Sequence, residues 1–281
     1  MICGTVVLYN PLENVKDNIL SYLDLLDKLY VVDNSVNQDN QYLLPSSNKI
    51  VYINNKDNLG IAKALNIAFE RAIKDGYTWV LTMDQDSKFL DDNFEKLISS
   101  TKVCQNDKVA IITPYQVIKT KIPKPKEKID YPLEVMTSGN MVRVSAYQKV
   151  GGFKDWLFID CVDIEFCMNL CAHGFLIERH NDILLKHNLG DYKCYHILGH
   201  EIQCSNHNYI RRYYMTRNAL YIYDMYHEKF SSHCKYIKNG LFYQVRNILF
   251  FEKDKYRKLR NMLRGKRDYK RQIKGKYAYK N

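Results

Sequence analysis

Short apolar runs alternate with amphipathic stretches along the first hundred residues of the chain. The run TVVLYNP predicts a strand, and VKDNILSYLDLLDKL behind it places Ile19, Leu20, Leu23 and Leu26 at helical spacing. YVVDNS and KIVYINN read as a second and a third strand, and IAKALNIAFERAIKDG as a helix with Ile61, Ala64, Leu65, Ala68 and Ala72 on one side and Gly76 placed to end it. YTWVLTMD is the fourth strand, and its unbroken apolar character predicts a parallel strand covered on both faces. The βαβ order therefore predicts an α/β fold with a doubly wound, mainly parallel sheet. In such sheets ligands sit beyond the carboxyl ends of the strands. Tyr9 and Asn10, Asp33 and Asn34, and Asp84, Gln85 and Asp86 converge there, which makes them the first candidates for ligand contact.

Further along, Val162 to His173 reads as a helix with Ile164, Phe166, Cys167, Leu170 and Cys171 apolar and Gly174 as its stop. The chain has 281 residues with 46% hydrophobic composition, enough for one large domain plus an appendage. The predicted division is a domain over 1–207, with a first half to about 100 and a second from about 101, followed by a helical, basic region over 208–281. No run approaches the roughly 20 apolar residues of a membrane span. The opening MICGTVVLYNP also lacks the basic start and cleavage site of a secretory signal, so a cytoplasmic protein is expected. Eight cysteines without a C-x-x-C pair predict reduced thiols rather than a disulfide framework.

The formal charge of +11 is unevenly placed: 13 Lys or Arg after Glu252 face only Asp254 and Asp268, while residues 1–252 carry 29 of each sign. A basic end of this kind suits nucleic acid, anionic lipid or water.

Chemistry concentrates in two acidic stretches. In LTMDQDSKF, Asp84 and Asp86 stand two apart at the end of the fourth strand, and strand geometry directs both to one side. A hard divalent cation relieves their repulsion, and magnesium is commonly held by one or two carboxylates together with substrate phosphates, which suits a nucleoside diphosphate. A solvated loop with chance acidity is the plain alternative. The second stretch, DCVDIE, sets Asp163 in the first turn of its helix, where the helix dipole favours a carboxylate. Three acids there exceed what capping requires. Asp33 has two readings as well, a partner for the imide N–H of a pyrimidine base or a cap for the turn DNS.

The stretches VVLYNP, VVDNS, NKDNLGIAKALNIA, LTMDQDS, TSGNMVR, GGFKDWLFIDCVDIEFCMNLCAHGF and HNLGD occur in this order over roughly residues 4–191. In that combination the chain resembles the family 2 glycosyltransferases of the GT-A fold, in particular the bacterial rhamnosyltransferase-like branch. The resemblance implies that Asp33 receives the donor's base, that Asn58 lies near the nucleotide, and that Asp84 and Asp86, completed by His187, hold Mg2+ or Mn2+. It implies Asp163 as the base of an inverting transfer, with Asp160 and Glu165 orienting the acceptor or the base. Ser138, Gly139 and Asn140 would form an acceptor or phosphate wall, unless they only build a tight turn. Arg217 in YYMTRN would reach the diphosphate, with a surface salt bridge as the alternative. The donor implied is dTDP-rhamnose, or a UDP-hexose, and the acceptor a lipid-linked or glycan chain in surface polysaccharide or O-antigen synthesis. A catalytically inactive sugar-nucleotide or nucleic-acid-binding protein on the same scaffold is the contrasting class.

Two further constellations stand apart from that resemblance. His196, His200, Cys204 and His207 share a face if their segment is one helix, and such residue types bind zinc, although the segment contains a glycine and a polar cluster. In the basic region Tyr256, Tyr269, Tyr277 and Tyr279 are interleaved with cations, but no known nucleic-acid reader motif is present. GLFYQVRNILFF carries Leu241, Phe242, Val245, Ile248 and Leu249 on one helical side, and Tyr256, Leu259 and Leu263 continue the pattern. Such helices either lie at an anionic membrane surface or pack on the body of the protein ahead of a disordered basic end.

Overall fold

The computed structural model describes residues 1–117, 127–187, 193–197 and 200–279. Its strands are β1 (Ile2–Leu8), β2 (Lys28–Asp33), β3 (Ile50–Asn54), β4 (Trp79–Asp84), β5 (Ser87–Phe89), β6 (Val109–Val117), β7 (Ile129–Asp130), β8 (Asn140–Arg143), β9 (Leu176–His187), β10 (Lys193–Ile197) and β11 (His200–Cys204). Its helices are α1 (Val15–Leu23), α2 (Ile61–Lys74), α3 (Asn93–Val103), α4 (Val144–Val150), α5 (Val162–Ala172), α6 (Tyr209–Tyr226), α7 (Ser231–Phe250) and α8 (Lys255–Lys270).

The chain forms two compact units, one of Met1–Asp155 with Asp163–Asn188, the other of Trp156–Val162 with Leu189–Asn281. The second thus includes a seven-residue segment from the middle of the sequence and begins earlier than residue 208.

In the first unit the main sheet runs β3-β2-β1-β4-β8-β6-β9-β5, with β7 on β9. The strands β3, β2, β1 and β4 are parallel, as their apolar runs predict. β8 joins antiparallel between β4 and β6, so the sheet is mixed beyond β4. Val6, Val31, Leu81 and Met83 pack with Ile19, Tyr22, Phe94 and Leu97 of α1 and α3 in one core cluster. Phe69 of α2 stacks on Tyr147 of α4 at 4.1 Å between ring centroids, and Phe153 and Phe166 close the same aromatic group. Both sets of helices bury apolar surface, which is the main source of stability. α1 ends at Leu23, earlier than the pattern suggests, and Leu20 is exposed. Lys28 and Leu29 instead start β2.

In the second unit the segment around the histidines is not a helix: β10 and β11 form an antiparallel hairpin, so the shared helical face does not exist. The side chains of His196 and His200 lie outside the described residues.

The basic end is folded rather than disordered up to Tyr279. α8 packs on α6 with Lys258, Asn261, Met262, Gly265 and Asp268 inward, leaving Tyr256 and Leu263 exposed. A Cβ at Gly265 would lie 2.5 Å from the carbonyl oxygen of Tyr213, so the helices meet where only glycine fits. Glu252 ties the pair: its carboxylate accepts from Arg212 Nη2 at 2.5 Å and from Lys258 Nζ at 2.9 Å, with all three side chains buried. The described residues after α8 fold back, with the Gly275 N–H donating to the Trp156 carbonyl and the Tyr277 hydroxyl to Asn261 Oδ1 at 2.7 Å. Replacing Glu252 by alanine strands two buried cations, and a loss of roughly 3–5 kcal/mol is expected in urea unfolding followed by circular dichroism. A loss below about 1 kcal/mol contradicts the buried ion network.

Candidate functional site

The order of the parallel strands selects the place for a ligand. The chain runs outward from β1 to β2 and β3 and then returns to β4 on the other side of β1, so the crevice between the ends of β1 and β4 is a topological switch point. Register aligns Leu8 with Asp33, Asp33 with Asn54 and Val7 with Asp84. Gln85 bridges the switch point: its Oε1 accepts from the Tyr9 N–H at 2.9 Å and its Nε2 donates to the Tyr9 carbonyl at 3.2 Å. Its place at the strand end marks it as a candidate for ligand contact, and here its amide is engaged with the backbone of Tyr9. Beside it Asn10 is exposed at φ 46°, its N–H donating to Ser35 Oγ at 2.8 Å.

Asp84 and Asp86 are brought together with a residue a hundred positions away. β5 begins one residue after Asp86 and pairs antiparallel with the end of β9, setting Ser87 opposite His187. Ser87 Oγ and His187 Nδ1 share a hydrogen bond of 2.6 Å, and Asp86 Oδ1 lies 3.9 Å from the same nitrogen. One ligand atom each from Asp84, Asp86 and His187 fall within 4.8 Å of one another. Burial lowers the pKa of His187 below its ordinary 6.5, against a smaller opposing pull from Asp86, so the imidazole is neutral at neutral pH. Two carboxylates and a neutral imidazole form a donor set that suits Mg2+ or Mn2+. The remaining residues of HNLGD lie outside the described residues.

Asp33 is fully buried. Its Oδ1 accepts from the Ser35 N–H at 2.8 Å, and its Oδ2 accepts from Asn40 Nδ2 at 2.8 Å and the Tyr52 hydroxyl at 2.7 Å. The Ser35 bond is the turn cap anticipated for DNS, and burial together with the Asp33 bond raises the pKa of Tyr52 and keeps its hydroxyl a donor. Asn58 is half-buried, with its Oδ1 accepting from the Gly60 N–H at 3.0 Å ahead of α2.

Ser138 and Asn140 are buried, and Gly139, at φ 86°, sits where a Cβ would lie 2.7 Å from Leu185. Ser138 Oγ accepts from the Asp84 N–H at 3.1 Å, and the Gly139 N–H donates to the Thr82 carbonyl at 2.7 Å. Ser138 and Gly139 thus brace the end of β4.

Asp163 opens α5, as predicted, and lines a cleft of about 380 Å³ together with Tyr115, Gln116, Glu134 and Arg179. Glu165 is fully buried and not in that lining. Asp160 belongs to the second unit, where its carboxylate is paired with Arg211, Nε approaching Oδ2 at 3.3 Å and Nη2 bonding Oδ1.

Arg217 neither reaches outward for a diphosphate nor makes a surface salt bridge. It is fully buried, with Nη1 donating to the Gly275 carbonyl at 2.7 Å and Nη2 to the Trp156 and Leu157 carbonyls at 3.1 and 3.3 Å. Asn218 beside it donates through Nδ2 to the carbonyls of Leu157, Ile159 and Asp160. The motif YYMTRN thus holds the segment 156–162, in which Phe158, Asp160 and Cys161 all have positive φ (68°, 62° and 60°). Non-glycine residues adopt that region only when their surroundings compel it.

Arg211 also donates Nη1 to His207 Nδ1 at 3.3 Å, which fixes that nitrogen as an acceptor. Burial, then Arg211, Arg212 and Lys258, lower the His207 pKa to about 3. Because this folded value lies below the unfolded 6.5, stability is complete above pH 6.5 and falls as acid protonates the unfolded chain. From pH 7 to pH 5, urea unfolding should lose about 2 kcal/mol through this residue, and His207→Gln should flatten that part of the slope. Equal slopes in the two proteins contradict the assignment.

Comparison with known proteins bears on the family and the fold. The family model described as glycosyl transferase family 2 matches residues 5–153. The chain is 31% identical over 237 residues, 78% of each chain, to the dTDP-rhamnosyl transferase RfbF of Shigella flexneri. Among solved structures, S. aureus TarS 1–349 in complex with UDP-GlcNAc shares 15% identity at a TM-score of 0.59 over 97% of this chain and 81% of its own. GalNAc-T7 with UDP, GalNAc and Mn2+ shares 10% identity at a TM-score of 0.55, over 71% of this chain and 44% of its own. At those identities the two structures establish a common fold, and this sheet has the GT-A form.

Proposed function

The chain belongs to glycosyltransferase family 2, and we propose that it is a metal-dependent, inverting rhamnosyltransferase taking dTDP-rhamnose as donor, with a UDP-hexose as the alternative. The observation that carries this reading is the convergence of Asp84, Asp86 and His187 at the end of β4. The similarity to a dTDP-rhamnosyl transferase supports the choice of sugar. Asp84, Asp86 and His187 would hold Mg2+ or Mn2+, which when bound screens the diphosphate and eases its departure. Asn10 and Asn58 flank the nucleotide. Asp33, with its carboxylate already satisfied by three donors, acts on the base through the loop it organises.

In the transfer, the Asp163 carboxylate takes the proton of the acceptor hydroxyl while that oxygen forms a bond to the sugar C1. The bond from C1 to the diphosphate oxygen breaks, its electron pair leaves with the nucleoside diphosphate, and configuration at C1 inverts. The acceptor we favour is a lipid-linked or glycan chain of a surface polysaccharide or O-antigen.

A membrane-borne acceptor fits one further feature. No helix among the described residues is long and apolar enough to cross a membrane. α7, however, buries only Cys234 and Ile248 and exposes Tyr236, Phe242, Tyr243, Leu249 and Phe250. It carries Lys235, Lys238 and Arg246 and no acid. Exposed aromatics among cations suit the interface of an anionic bilayer and support a peripheral position at the membrane. With α8 packed, α7 rather than the extreme C-terminus is the surface for it. Nucleic acid has no comparable support.

Three measurements test the reading. Asp163→Asn should leave nucleotide binding by calorimetry intact and lower kcat about 10²- to 10⁴-fold; unchanged turnover removes Asp163 as base, and loss of nucleotide binding removes the division of roles. Asp86→Ala should abolish the enhancement of dTDP binding by Mn2+, and binding indifferent to chelator in the unaltered protein speaks against the metal site. The double change Phe242→Ser with Phe250→Ser should halve or more the sedimentation with phosphatidylglycerol vesicles at low salt, and unaltered sedimentation means another surface is used.

A further inference from the structure

The cleft beside Asp163 has a chemistry of its own. Its walls are the end of β6 from Thr113 to Gln116, the stretch Glu134 to Met136, Asp163 with Ile164, and Arg179 of β9. Two of its polar groups are set in place by bonds made outside it. Arg179 donates Nε and Nη2 to the two carboxylate oxygens of Asp130 at 2.9 and 2.5 Å, which fixes the plane of its guanidinium 5.6 Å from the Tyr115 ring. Gln116 donates Nε2 to the Ser138 carbonyl at 2.6 Å, so its amide cannot turn, and its buried Oε1 has no hydrogen-bond partner among the described residues. A buried acceptor oxygen without a donor is costly, and a ligand hydroxyl supplies that donor.

Pro114, Val135, Met136 and Ile164 add apolar surface between these groups. Glu134 and Asp163 line the cleft, and the charge of Arg179 is already matched by Asp130, so an anionic phosphate meets net repulsion there. What fits is a neutral molecule with many hydroxyls and an apolar ring face. We propose that this cleft is the acceptor-sugar subsite, in which Gln116 and Arg179 select the sugar unit presented to Asp163 while any carrier phosphate stays outside. The assignment rests on the glycosyltransferase reading, and it moves acceptor contact from Ser138, Gly139, Asn140, Asp160 and Glu165 to residues the sequence did not mark.

The test uses the full chain and two probes, methyl α-rhamnopyranoside and methyl β-N-acetylglucosaminide, observed by saturation-transfer NMR, with dTDP binding followed in parallel. At least one glycoside should bind the unaltered protein, and Gln116→Leu should weaken it about tenfold while the affinity for dTDP is unchanged. Arg179→Leu should do the same. Because Arg179 also links β7 to β9, Gln116→Leu decides the matter if the arginine variant does not fold. Glycoside signals equal in Gln116→Leu and the unaltered protein, or absent from an unaltered protein that binds dTDP, overturn the subsite and leave the glycosyltransferase reading standing. An unaltered protein that binds no dTDP with Mn2+ present defeats both.

Discussion

Three residues of strand, Ser87 to Phe89, pair with the far end of β9, and the site depends on this contact. Without it, Asp84 and Asp86 are two like charges on a loop whose repulsion only solvent relieves. With it, His187 arrives opposite Ser87, its ring is held by the Ser87 hydroxyl, and a third ligand atom joins the two carboxylates. The strand-end register supplies the rest, because parallel β1, β2, β3 and β4 all finish on the same edge.

The supports of this edge are as informative as its acids. Ser138 bonds the backbone of Asp84 from behind, Gln85 ties the acidic loop to Tyr9, and the Asp33 carboxylate gathers Ser35, Asn40 and Tyr52. The burial of Ser138 and Asp33 is tolerated only because their bonds are made. Groups organised in this way need no rearrangement to meet a ligand, which is the condition for electrostatic stabilisation.

The sequence was most legible where period and position carry the information. The parallel half of the sheet, α2 with its stop near Gly76, and Asp163 in the first turn of α5 all follow from apolar runs and breakers. The D-x-D was readable because its strand was. What could not be read depends on partners distant in the chain. Arg217 and Asn218 look like solvent-facing polar residues, yet they are interior because carbonyls of the segment 156–162 need donors. The buried face of α8 is mostly polar, with Lys258, Asn261 and Asp268 beside Met262, so a search for apolar stripes picks Tyr256 and Leu263, which are exposed. Gln116 and Arg179 belong to no motif, and only the folding of β6 alongside β9 brings both to one cleft.

The central claim is that a divalent ion and a nucleoside diphosphate meet at the end of β4. Crystals grown with Mn2+ and dTDP, with diffraction recorded above the manganese absorption edge, address it directly. The account predicts a single strong anomalous peak bounded by Asp84, Asp86 and His187, with the diphosphate in contact with it. Bound dTDP with no anomalous peak between those residues would contradict it.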